Sequence, residues 1–224
     1  MKKAIDKNQS TSVWDFPTRL FHWALAIGIL LSWLSVELDY MEVHLISGAV
    51  VTGLLLFRIF WGLWGASTAQ FHRFIPTPKR LLNYLKGQGS DYLGHSPLGA
   101  LSVIAMLILL LVQALTGLVS EDDIYLIGPL NQFVSADVAE FAHRIHHSNW
   151  EILQFFIALH IGAIFYYLFF KKRNLIIAMI TGRQVKNQIS AAAQQESLQK
   201  QHPLVAVISL LIATGITYWL FTIL

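Results

Sequence analysis

The sequence predicts an all-α integral membrane protein: a four-helix bundle with one additional transmembrane helix at its C-terminal end. Three observations carry this. Of 224 residues, 55% are hydrophobic and only 13% charged, which is too apolar for an ordinary soluble domain. Five apolar runs, at 20–36, 43–64, 98–119, 150–170 and 204–224, approach or reach the ~20 residues that cross a bilayer. The polar stretches between them are too short for a second folded domain.

Charge orients the spans. Fifteen of the 16 Lys and Arg lie before or at the start of the first run, around the end of the second and the loop beyond it, or after the fourth. The positive-inside rule then puts the N-terminus in the cytoplasm and, after five crossings of the inner membrane, the C-terminus in the periplasm. A basic surface of this kind faces anionic lipid headgroups and gives no reason to invoke nucleic acid. Cysteine is absent, which excludes disulfides, iron–sulfur clusters, thiolate zinc sites and covalently attached haem. No glycine-rich nucleotide loop opens a helix.

Taken in order, residues 1–12 read as a polar tail and residues 13–182 as the four-helix domain. Pro17 suits a first helical turn, with Asp15 before it as a cap. No small-x-small cleavage site follows the first run, so it reads as a retained anchor. The second run opens with His44, and Gly48 lies one turn further on the same face. Residues 65–97 form a loop punctuated by Pro and Gly, with a short surface helix at 80–86 and two water-exposed histidines, His72 and His95. The third run has no histidine; its Gln113, Thr116 and Gly117 are candidates for contacts between helices. An external loop follows, bearing Glu121, Asp122 and Asp123. Residues 183–202 read as a cytoplasmic linker, and 203–224 as a fifth span appended as an anchor.

The fourth run carries the chemistry. Four of the nine histidines fall between His143 and His160, and polar side chains inside a bilayer are usually kept for a function. His146 and His160 are 14 residues apart, which at 100° per residue returns to within roughly 40° of one face, about 21 Å along the axis. Two imidazoles at two depths suit two stacked metal centres. Direction of crossing pairs them by depth: His44 with His146 outside, His22 with His160 inside. Without cysteine, the centres expected are two non-covalent b-type haems held by bis-imidazole ligation. Arg19, Arg58 and Arg144 stand near these ligands as candidate partners for haem propionates.

The segments Trp14-Asp-Phe-Pro-Thr-Arg-Leu-Phe-His-Trp23, Arg58-Ile-Phe-Trp-Gly-Leu-Trp-Gly65 and Lys172-Arg-Asn-Leu-Ile-Ile-Ala-Met-Ile-Thr-Gly182 resemble the bacterial cytochrome b561 and nickel–iron hydrogenase b-type cytochrome subunit family. The resemblance covers residues 13–182. It implies a di-haem core ligated at the positions matching His22, His44, His146 and His160, and electron exchange with quinone. His147, where members often carry an acidic residue, and the fifth span are departures.

The function expected is electron relay across the membrane, between the quinone pool and an external partner. Eight acidic residues face the single base Arg144 in the external loops, a field that attracts a cationic protein such as a c-type cytochrome. Rival readings are a superoxide:quinone oxidoreductase, which some relatives are, and a histidine-using metal transporter. The transporter would need ligands clustered at one depth.

Overall fold

A computed structural model describes residues 10–88, 93–122, 126–185 and 198–222. Among the described residues, five helices are long and apolar enough to cross a membrane: α1 (Phe16–Glu37), α2 (Met41–Trp64), α5 (Pro97–Val119), α6 (Ala136–Phe169) and α8 (Pro203–Thr222). Between α2 and α5 lie the short helices α3 (Phe71–Phe74) and α4 (Pro78–Leu85). The second of these is the expected surface helix, capped by the Thr77 hydroxyl accepting from Arg80 N at 3.4 Å. The four-helix bundle with an additional helix expected from composition is the fold observed.

The span that differs most from expectation is the fourth. Helix α6 starts at Ala136, 14 residues before the apolar run, and is 34 residues long. At 1.5 Å per residue it measures about 51 Å, well beyond the ~30 Å of hydrocarbon. Its first turns carry Asp137, Glu140 and Arg144, which a hydropathy reading discards. Its helical period continues through them all the same: Ala139, Ala142, Asn149 and Leu153 are buried along one side. Helix α1 likewise begins earlier than the apolar run, at Phe16. His22 therefore stands six residues inside its helix, and His146 ten residues inside α6.

Two compact units divide the chain. One comprises Phe21–Ile59, Ala105–Ile157 and Val207–Leu224. Its core gathers Val51 and Leu55 of α2, Leu110 of α5 and Leu153 of α6, with Leu25 and Ile29 of α1 against them.

The other comprises Met1–Leu20, Phe60–Ile104 and Ala158–Ala206. The last residues of the polar tail and the first of the linker pair with each other: β1 (Ser10–Ser12) runs antiparallel to β2 (Arg183–Val185), Thr11 opposite Gln184. The remaining linker residues 186–197, and residues 1–9, lie outside the described residues. The pairing continues where the Gly182 carbonyl accepts from Val13 N at 2.8 Å and Trp14 N at 3.1 Å. Gly182 caps α7 (Leu175–Thr181), and Asn174 caps its other end by accepting from Ile177 N at 3.0 Å. His95 is not simply water-exposed. Its ring lies 4.6 Å from Trp14 and 5.0 Å from Phe74.

Asp15 is the polar centre of this unit. It is 5% exposed and accepts from Trp61 Nε1 at 3.0 Å, while Arg19 donates to the Ile180 carbonyl. Burial raises the Asp15 carboxyl above its usual range, against hydrogen bonds from Thr18 and Trp61 that lower it. An acid raised on folding binds its proton more tightly in the native state. Its contribution is therefore most favourable below the ordinary carboxylate pKa and is lost as pH rises through the folded value. Asp15→Asn is expected to flatten the fall in thermal stability of the detergent-solubilised protein as pH rises from 4 to 7. Asp15→Ala, which strands the Trp61 donor, should cost about 1–3 kcal/mol. Melting curves across pH check both.

Candidate functional site

Helices α1, α2, α5 and α6 together line a cavity of about 470 Å³ in the unit built on Phe21–Ile59. That volume is within the ~300–1,000 Å³ of small-molecule and cofactor sites. His44 of α2 and His146 of α6 both line it, with ring centres 6.2 Å apart and planes at 80°. Imidazole nitrogen binds first-row metals at ~2 Å. Two rings sharing one ion therefore need their centres roughly 6 Å apart.

The second nitrogen of each ring decides which atom is available. His44 Nδ1 lies 3.0 Å from the Ser32 carbonyl, and the Ser32 hydroxyl is 3.1 Å away. His146 Nδ1 lies 2.9 Å from the Gln113 carbonyl, with the Thr116 hydroxyl at 3.2 Å. A carbonyl oxygen can only accept, so Nδ1 carries the proton in both rings and Nε2 keeps the lone pair. Fixing the tautomer through the distal nitrogen is the usual device of a metal-ligating histidine. The same arrangement arises from two different helices, α1 behind His44 and α5 behind His146.

Small residues and aromatics shape the rest. Gly48 borders the cavity, and a Cβ added there meets nothing within 4 Å. That leaves an open strip of backbone against which a flat macrocycle can lie. Gly117 has the opposite role. A Cβ there would come within 2.9 Å of the His146 ring, so the close approach of α5 to that imidazole requires glycine. Asn149, 6% exposed, ties α6 to α5 by donating to the Leu109 carbonyl at 3.0 Å and to Gln113 Oε1 at 2.6 Å. Trp33 and Trp150, with ring centres 6.4 Å apart, wall one side.

The other expected residues are distributed as follows. His143 and His147 also line the cavity. His22 belongs to the same unit and meets Trp23 edge-on at 5.1 Å. His160 belongs to the other unit, half-buried, nine residues before the end of α6. Of the three arginines, Arg19 is held by the Ile180 carbonyl. Arg144 is paired with Glu140 at 2.5 Å on an exposed face, where such a pair contributes ~0.3–0.5 kcal/mol. Arg58 is 4% exposed. Among the described residues there is no group of three or more His, Cys, Asp or Glu placed to hold a metal ion. Sequence reasoning missed Ser32, and took Gln113, Thr116 and Gly117 only as helix contacts.

A profile of the prokaryotic cytochrome b561 family matches residues 13–182. The chain belongs to this family. It is an integral membrane protein of the electron-transporting, haem b-containing cytochromes. A probable Ni/Fe-hydrogenase B-type cytochrome subunit from Rhizobium leguminosarum bv. viciae is 24% identical over 229 residues, covering 82% of this chain and 92% of the relative. The cavity fits the family's cofactor: two imidazoles whose Nδ1 atoms are held by backbone carbonyls, an open glycine position and aromatic walls. Gly117→Ala is expected to turn the His146 ring out of line and lower haem content per chain. Pyridine-haemochrome quantification against wild type measures this.

Proposed function

We propose that this cytochrome relays electrons across the bacterial inner membrane through two b-type haems, between the quinone pool and an external redox protein. The observation that carries the reading is the His44–His146 pair, with Nδ1 protons on backbone carbonyls and ring centres 6.2 Å apart in one cavity. When bound, haem supplies reversible one-electron exchange. The chain's own residues do the rest. His44 and His146 bind, the Ser32 and Gln113 carbonyls hold the tautomer, and Trp33 and Trp150 keep water away. No acid–base constellation is needed for such chemistry.

The second haem site, at His22 and His160, rests on the 14-residue spacing that puts His160 on the His146 face. Substituting each of the four histidines by Ala, with haem quantification and redox titration, tests the assignment. The His44 and His146 variants are expected to lose or perturb one centre, and the His22 and His160 variants the other. Loss of the same centre in the His44 and His160 variants would overturn the pairing.

For topology, the basic residues support a cytoplasmic N-terminus and a periplasmic C-terminus, with residues 13–182 as the di-haem domain. Reporter fusions after Gly182 and after Leu224 should report opposite sides. Agreement between the two would remove the fifth crossing.

The external partner we propose is a basic c-type cytochrome, attracted by the acidic loops. Glu37 stands at the end of α1, Glu42 in the first turn of α2 and Asp137 in that of α6. Glu121 accepts from Asn131 Nδ2 at 3.3 Å, while Asp123 lies outside the described residues. Such a field repels a small anion, which counts against the superoxide reading. Stopped-flow electron transfer to a basic cytochrome c should slow as salt rises, and slow in a Glu121/Asp122/Asp123 neutralised variant. A rate indifferent to both would exclude docking there.

A further inference from the structure

The fifth helix looked like an anchor, yet it presents one continuous buried line. Ser209 and Ala213 of α8 are both 0% exposed, and Thr217 and Phe221 follow at the same interval of four residues, both half-buried. Four-residue spacing keeps all of these on one slowly drifting face. Small residues along such a line let helix backbones approach closely in a membrane. The approach is made to α2: Gly53 faces Thr217, and a Cβ on Gly53 would come within 3.1 Å of the Thr217 hydroxyl. One turn further along α8, Phe221 lines the cavity of His44 and His146, beside Gly48 and Thr52 of α2.

Helix α8 therefore reaches the cofactor cavity from outside the four helices that carry the histidines. All the residues involved, Val207–Leu224 and Phe21–Ile59 among them, belong to one compact unit. We infer that α8 is a fifth wall of the outer haem site, and that Phe221 sets the redox potential there by excluding water. The inference rests on the assignment of a haem to His44 and His146. Oxidation of a bis-imidazole haem leaves one more positive charge at the iron, and burial and dielectric are among the protein's levers on its potential. Water at the cavity wall stabilises that charge, whereas a phenyl ring withholds the stabilisation. The aromatic wall favours the reduced form and raises the potential.

The test is a redox titration of the purified full-length cytochrome with haem content measured on the same samples, for wild type, Phe221→Ala, Phe221→Leu, Gly53→Val and His44→Ala. Phe221→Ala is expected to lower one midpoint potential of the haem-loaded protein while the other stays fixed. Phe221→Leu should lower the same potential by less. Gly53→Val acts at a distance, by pushing Thr217 and the end of α8 away, and should shift that potential in the same direction. It carries the test with Phe221→Leu if the alanine variant does not fold. Unchanged potentials in the Phe221 variants, or equal shifts of both centres, would overturn the role of Phe221. Full haem content in His44→Ala would instead overturn the haem assignment on which it rests.

Discussion

An imidazole inside a bilayer has two nitrogens to satisfy, and no water is on hand for either. The structure around His44 and His146 follows from that constraint. Each Nδ1–H is given to a carbonyl of a neighbouring helix, which shares its lone pairs with donors of its own helix. A carbonyl in a helix wall is reachable only if the helices come close. Gly117 then becomes necessary where α5 meets His146, and Asn149 fastens α6 to α5 beside it. Both rings line the same cavity. In this sense the site is shaped by where its protons go.

The membrane class of the fold was legible because apolar runs near twenty residues have few other meanings. The true length of α6 was not. Its first turns are amphipathic, and their signal is the period that places Ala139, Ala142, Asn149 and Leu153 on one side, with His146 in the same series. Summed hydropathy is blind to a period. The His44–His146 pair was legible from depth and direction of crossing, and the structure brings those two rings together. Their carbonyl partners were illegible in principle, since every residue carries a carbonyl and only tertiary packing selects Ser32 and Gln113. The same limit hid Phe221, which is one aromatic among many in an apolar run.

The segments that carried the family resemblance meet in the unit containing Asp15. Trp61 donates to Asp15, Arg19 to the Ile180 carbonyl, and Gly182 accepts from Val13 and Trp14. Stretches far apart in the chain are thus fastened to one another mostly by backbone groups and one buried carboxylate. Arg19, three residues before His22, donates to the Ile180 carbonyl. A motif can be distinctive because it holds a fold's ends together as well as because it touches chemistry.

The pairing of residues 10–12 with residues 183–185 also has a consequence for how the molecule is made. A ribosome adding ~5–20 residues per second needs roughly ten to thirty seconds to travel between those two strands. Throughout that interval the first helix is already synthesised but its N-terminal strand has no partner to zip onto. The clasp closes only after α1, α2, α5 and α6 have all been delivered.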